Sequence, residues 1–236
     1  MKKGFTLAEV LITLGVIGVV AALTTPALIQ NYRKHAIEIK LKKVYSVMNQ
    51  ALKMSVAQNG DYEGWFIDCG TDGHYPTCTE QQAKEWLYTY LFPYLNYLKI
   101  EEIKNSRGQT GFRVYFTDGS ILSISSYVYD MGFYPSEKVI NQVQEASLRG
   151  DSYATFHFRV HPVAFRTSDY TYEQHHLNKG FEPYTFGPFW DGTMEGIKLA
   201  PTHGCNTNNT SPYYCTKLIQ LNDWKIPDDF PFKLYY

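Results

Sequence analysis

The fold is decided by one stretch: Phe5-Thr6-Leu7-Ala8-Glu9-Val10-Leu11-Ile12-Thr13-Leu14-Gly15-Val16-Ile17-Gly18-Val19-Val20-Ala21-Ala22-Leu23-Thr24-Thr25-Pro26-Ala27-Leu28. It follows the short basic start Met1-Lys2-Lys3-Gly4 and carries a single charge, Glu9. A bilayer span needs about 20 mostly apolar residues, and this run has that length. A carboxylate inside such a run is costly, so Glu9 needs a partner or a function. Immediately downstream, Ile37, Leu41, Val44, Met48 and Leu52 recur with a helical period, while Arg33, Lys34, Lys40, Lys42 and Lys43 occupy the other side. Gly60-Asp61 stops the pattern. One helix from Phe5 to about Ala57 is therefore predicted, on the order of 80 Å long at 1.5 Å per residue. Pro26 should kink or loosen it, and Gly15 and Gly18 should weaken it or let neighbouring helices approach closely.

Three readings compete for the apolar segment. A removable secretory signal would have a shorter apolar core and a small-residue cleavage site, neither of which is evident here. A plain membrane anchor fits the length but leaves Glu9 without a purpose. The third reading rests on Gly4-Phe5-Thr6-Leu7-Ala8-Glu9-Val10-Leu11-Ile12, with its basic leader, its glycine, its aromatic residue and a glutamate four residues later. This segment resembles the class III signal of type IV pilins and type II secretion pseudopilins.

The resemblance implies cleavage between Gly4 and Phe5 by a prepilin peptidase on the cytoplasmic side, followed by methylation of the new Phe5 amine. The retained helix would span the inner membrane once and later form the core of a fibre. Its partners would be membrane lipid, an inner-membrane assembly platform, other copies of itself and other pilins. Within a fibre, Glu9 can pair with the Phe5 amine of a neighbouring subunit, which offsets its desolvation. Positive residues flank both ends of the span, so the positive-inside rule does not choose an orientation. The leader and the cysteines place the N-terminus inside and the head outside. The implied divisions are 1–4 leader, 5–29 span and fibre core, 30–59 amphipathic stem and 60–236 exported head.

Composition agrees with an exported protein. The 236 residues carry a net charge of −1, and loss of Met1–Gly4 takes away two lysines and leaves −3. That balance argues against nucleic-acid binding driven by bulk charge. Aromatic residues make up 16%, with 20 tyrosines, enough to fill a core and furnish contact surfaces. Four cysteines in two close pairs suit an oxidising compartment. Cys69 and Cys78 read as a disulfide closing a surface loop, with a metal site involving His74 as the competing reading. Cys205 and Cys215 bracket a polar turn-forming loop, and a bond there would contribute about 2.5–3 kcal/mol in a chain-entropy model. The following Thr216–Pro231, with Trp224-Lys225-Ile226-Pro227, resembles the C-terminal ends of some bacterial pilin-like proteins.

The head reads as α+β, a hairpin-rich antiparallel sheet packed on the second half of the long helix. A helix capped by Thr79 starts at Glu80, bends at Pro93 and fades by Lys99. It offers Trp86, Leu87, Tyr90, Leu91 and Leu95 to the core. Phe112–Phe116 and Ile121–Ser125 flank Asp118-Gly119, a hairpin signal. Ala154–His161 alternates as a third strand ended by Pro162, and short strands are expected at Gly196–Ala200 and Cys215–Leu221. Ser136–Arg149 is open between a helix and an irregular excursion.

No nucleophile elbow, phosphate-binding loop, His-Glu-x-x-His or Cys-x-x-Cys occurs. His157 and His161 share a strand face, and His175-His176 are adjacent; these read as surface or packed histidines. Asn208-Asn209-Thr210-Ser211 reads as turn residues. The expectation is a structural subunit with no catalytic residues, metal or cofactor. The alternative is a minor pilin whose head recognises DNA, a surface or a secreted substrate at the fibre tip.

Overall fold

The computed structural model describes residues 4, 6–65, 67, 69–70, 78–105, 107–149, 156–161, 180–185 and 190–236. Helix α1 runs unbroken over Leu7–Asn59. Tyr62–Trp65 forms a 3-10 turn, α2 covers Glu80–Tyr90, and a second 3-10 turn covers Phe92–Tyr94. Six strands follow: β1 Lys99–Lys104, β2 Thr110–Tyr115, β3 Ile121–Ile124, β4 Asp130–Tyr134, β5 Phe156–His161 and β6 Gly180–Pro183. Helix α3, Glu137–Arg149, lies between β4 and β5, and α4 (Met194–Leu199) and α5 (Cys215–Leu221) come after the sheet.

The sheet is an antiparallel meander in the order β1-β2-β3-β4-β5-β6. Its register aligns Phe112 with Ile124, Ile124 with Met131, Met131 with Phe158, and Val160 with Phe181. Side chains alternate across a strand, so these apolar positions build one continuous face. The α1 residues Ile37, Leu41, Val44, Met48, Ala51 and Leu52 join them in a single core. Helix α1 lies against β6, the Phe92–Tyr94 turn and α2.

Polar contacts fasten the stem to the head. Asn49 acts as an extra rung on the β6 edge: its Nδ2 donates to the Phe181 carbonyl at 2.8 Å, and its Oδ1 accepts from the Phe181 N–H at 3.1 Å. An edge strand is thus closed by a side chain instead of a neighbouring strand. Tyr45 donates its hydroxyl to Glu182 Oε1 at 2.7 Å, and Gln220 of α5 donates to the other oxygen at 3.1 Å. Lys40 donates to the carbonyls of Asp118 and Pro135, and Lys43 donates to the Asp118 carboxylate. So the basic side of the stem is partly engaged by the head; Lys42 stays exposed.

Two expected strands are helices. Gly196–Ala200 falls in α4, where Thr193 caps the helix by accepting from the Gly196 N–H at 2.9 Å. Cys215–Leu221 is α5, and its residues 215–219 are buried consecutively, not alternately. Short apolar runs look alike as strands and as buried helical turns, and the cap and all-round burial favour the helix here. Of the two readings open for Ser136–Arg149, the structure has the helix. The helix expected to bend at Pro93 and fade by Lys99 ends at Tyr90 and gives way to the Phe92–Tyr94 turn, because Pro93 has no N–H to donate to the Thr89 carbonyl and cannot continue the α-helical ladder. Strands β1, β4 and β6 are additional to the sequence reading. Residues 154–155 of the expected third strand and Pro162 lie outside the described residues.

Both disulfides are formed, Cys69–Cys78 and Cys205–Cys215. Asn209 turns its amide inward, donating to the carbonyls of Ala200 and Gly204, so this residue of the turn-forming stretch braces the loop.

Candidate assembly site at the start of the long helix

Thr6 is the N-cap of α1, with extended backbone angles (φ −78°, ψ 152°). Its hydroxyl accepts from the Glu9 N–H at 3.3 Å, while its own N–H and hydroxyl donate to Glu9 Oε2 at 2.8 and 2.9 Å. This reciprocal box satisfies amides that the first helical turn leaves without partners. The acidic side chain also complements the positive end of the helix dipole. The residue that hydropathy singled out as an anomaly is therefore a capping residue within its own chain. A carboxylate has about four lone-pair positions, so bonding to Thr6 leaves Glu9 able to accept from a cation.

Gly4 is exposed beside this box; Met1–Lys3 and Phe5 lie outside the described residues. The helix continues through Pro26, although proline cannot donate to the carbonyl of Ala22. Thr13 and Thr24 fold their hydroxyls onto the carbonyls of Val10 and Val20, which hides polar atoms from an apolar surrounding. The space around Gly15 and Gly18 is open, so the glycine surface faces outward. The apolar part of α1 has a mean hydropathy of 2.3, and none of it is buried in the molecule.

The candidate residues do not converge. Glu9 and Pro26 lie along α1 and Gly4 precedes its N-cap, while the disulfides close loops in the head. Among the described residues there is no group of three or more His, Cys, Asp or Glu able to hold a metal ion. The bonded state of Cys69 and Cys78 corrects the metal alternative for that pair. His74, His175 and His176 lie outside the described residues, as does the His161 side chain.

His157 packs on Tyr213 at 4.1 Å, and Tyr213 stacks on His203. Burial, with His203 adding, pushes the His157 imidazole down to about 3, so it is a neutral packed ring at ordinary pH. On the same sheet face, Arg159 and Asp130 form a cross-strand pair at 3.1 Å. Sequence reading missed this pair and the buried Glu182, because a charge within an alternating strand normally marks the solvent side.

The fold and the helix start define a class: a prokaryotic pilin-like protein anchored by an apolar N-terminal helix, with an α+β head. Residues 1–25 match the prokaryotic N-terminal methylation motif, which is the type IV pilin-like signal. Residues 27–234 match a family of unknown function, DUF6613, and the chain belongs to that family. No curated protein and no solved structure matches the chain.

Proposed function

We propose that the protein is a structural pilin or pseudopilin of a type IV pilus or type II secretion fibre. It is cleaved between Gly4 and Phe5, methylated on the Phe5 amine, and held in the inner membrane with its head outside the cytoplasm. It then polymerises through α1, and its role is structural, not catalytic. The observation that carries this reading is the unburied apolar half of α1, whose start matches the methylation motif and which carries one carboxylate, Glu9. In a fibre core, that carboxylate finds a cation in the Phe5 amine of a neighbouring subunit.

The test is Glu9→Ala. The substitution makes the helix more apolar and leaves Gly4 and the leader intact, so insertion and cleavage should persist. Fractionation of sheared fibres from membranes should show processed protein that stays in the membrane, and normal fibre yield would refute the assembly role. Intact mass should give a mature chain starting at a methylated Phe5; a start at Met1, or beyond about residue 20, would sink the pilin reading altogether.

A further inference from the structure

At the base of the head, α1 and the last residues of the chain enclose a groove of about 350 Å³. Arg33 and Lys34 line it from the stem, and Asp228, Phe230, Lys233 and Leu234 line it from the tail. The tail is fastened there: Lys34 meets Asp228 at 2.6 Å, the Ile226 N–H donates to Glu38 Oε1 at 2.8 Å, and the Tyr32 and Tyr236 rings meet edge to face. Lys34 and Asp228 neutralise each other, and Glu38 is occupied by the Ile226 N–H and by His35 at 3.5 Å. Arg33 and Lys233 have no ion-pair partner among the described residues. The groove therefore presents two uncompensated cations beside an apolar floor of Phe230 and Leu234.

Its depth says what it meets. This step rests on the reading that residues 7–29 span the bilayer. Those residues rise about 34 Å, close to the roughly 30 Å of a hydrocarbon core. Arg33 then stands about 6 Å beyond the last apolar residue, within a headgroup layer about 5–8 Å thick. We infer that the groove binds the phosphate of an anionic phospholipid of the host bilayer, gripped by Arg33 and Lys233, with the glycerol region against Phe230 and Leu234. The guanidinium suits a phosphate because it can donate two parallel hydrogen bonds. The bound lipid would seat the head on the membrane before assembly.

The test uses the full chain in nanodiscs of equal phosphatidylcholine and phosphatidylglycerol, with retained lipids counted by native mass spectrometry. Two cations near an anionic surface set an expected preference for phosphatidylglycerol of about thirtyfold. Arg33→Gln combined with Lys233→Gln should bring the ratio near parity, and Lys233→Arg should keep it. Lys42→Gln, further up the stem, should leave it unchanged. Parity in the native chain overturns the inference, and so does an equal loss in Lys42→Gln, which would mean bulk charge alone. A dimer without retained lipid also overturns it, since a second copy would then fill the groove. A chain that does not enter the discs refutes the span itself; entry without lipid preference refutes only the groove.

Discussion

The two halves of α1 share one backbone conformation and almost nothing else. Leu14 is 61% exposed and Leu41 is fully buried, yet both sit on the same uninterrupted helix. The second half is held by tertiary packing, the usual source of helix stability in water. The apolar first half is buried by none of the described residues, and its backbone is satisfied internally, as a span would require. Helical continuity is thus a property of the backbone, while stability is supplied by a different solvent in each half.

The largest expected break in that comparison is a pair of identical truncations. Leu41→Ala should destabilise the head by about 2–5 kcal/mol, because it opens a cavity in a closed core. Leu14→Ala should leave head stability unchanged. All four tryptophans lie in the head, so fluorescence-detected denaturation in detergent reads it alone. Equal effects at both positions would show that the halves are coupled.

A smaller effect is expected at Tyr45, which ties the stem to the buried Glu182. Burial, then the bond to Glu182, pushes the Tyr45 phenol well above its ordinary value, so it remains a donor at any ordinary pH. Tyr45→Phe should cost about 1.5–3 kcal/mol, as for a hydrogen bond to a charged acceptor. An unchanged denaturation midpoint would mean that Gln220 satisfies the carboxylate alone.

The smallest effect lies where Lys43 meets Asp118. Burial opposes the Asp118 charge, but Lys43 and the hydroxyl and N–H of Ser120 outweigh it and hold the carboxyl down to about 2, from 3.8. A carboxylate with a depressed folded-state value stabilises fully above its ordinary value and loses that contribution as pH falls through the depressed one. The native chain should therefore lead Asp118→Asn by about 0.2–1 kcal/mol at neutral pH. The lead should vanish as pH falls from 3.8 toward about 2. A difference that does not vary with pH would remove the pair from the stem's fastenings.

The stem, α2 and the β2–β3 hairpin were legible because their signals are local: a period, a cap at Thr79 and a turn at Asp118-Gly119. Strand β1, with its sequence Lys-Ile-Glu-Glu-Ile-Lys, was not, because an edge strand carries charges to discourage further pairing and so hides its pattern. Strand β6 spans four residues ending in proline and owes its place to Asn49, far away in sequence. Gly4, Phe5 and Glu9 were singled out by their motif; the reciprocal bonding of Glu9 with Thr6 was not foreseen, although Thr-x-x-Glu spells a capping box. The tail groove could not be read from sequence, since it joins positions 194 apart.

That separation has a consequence in time. Lys34 leaves the ribosome long before Asp228, and at about 5–20 residues per second the gap lasts about 10–40 seconds. Throughout it the apolar segment can already sit in the bilayer, while the stem above it lacks the irregular tail that closes its underside. In the proposed orientation this strap also lies at the membrane end of the head, so the stem is fastened there only after the sheet above it has been synthesised.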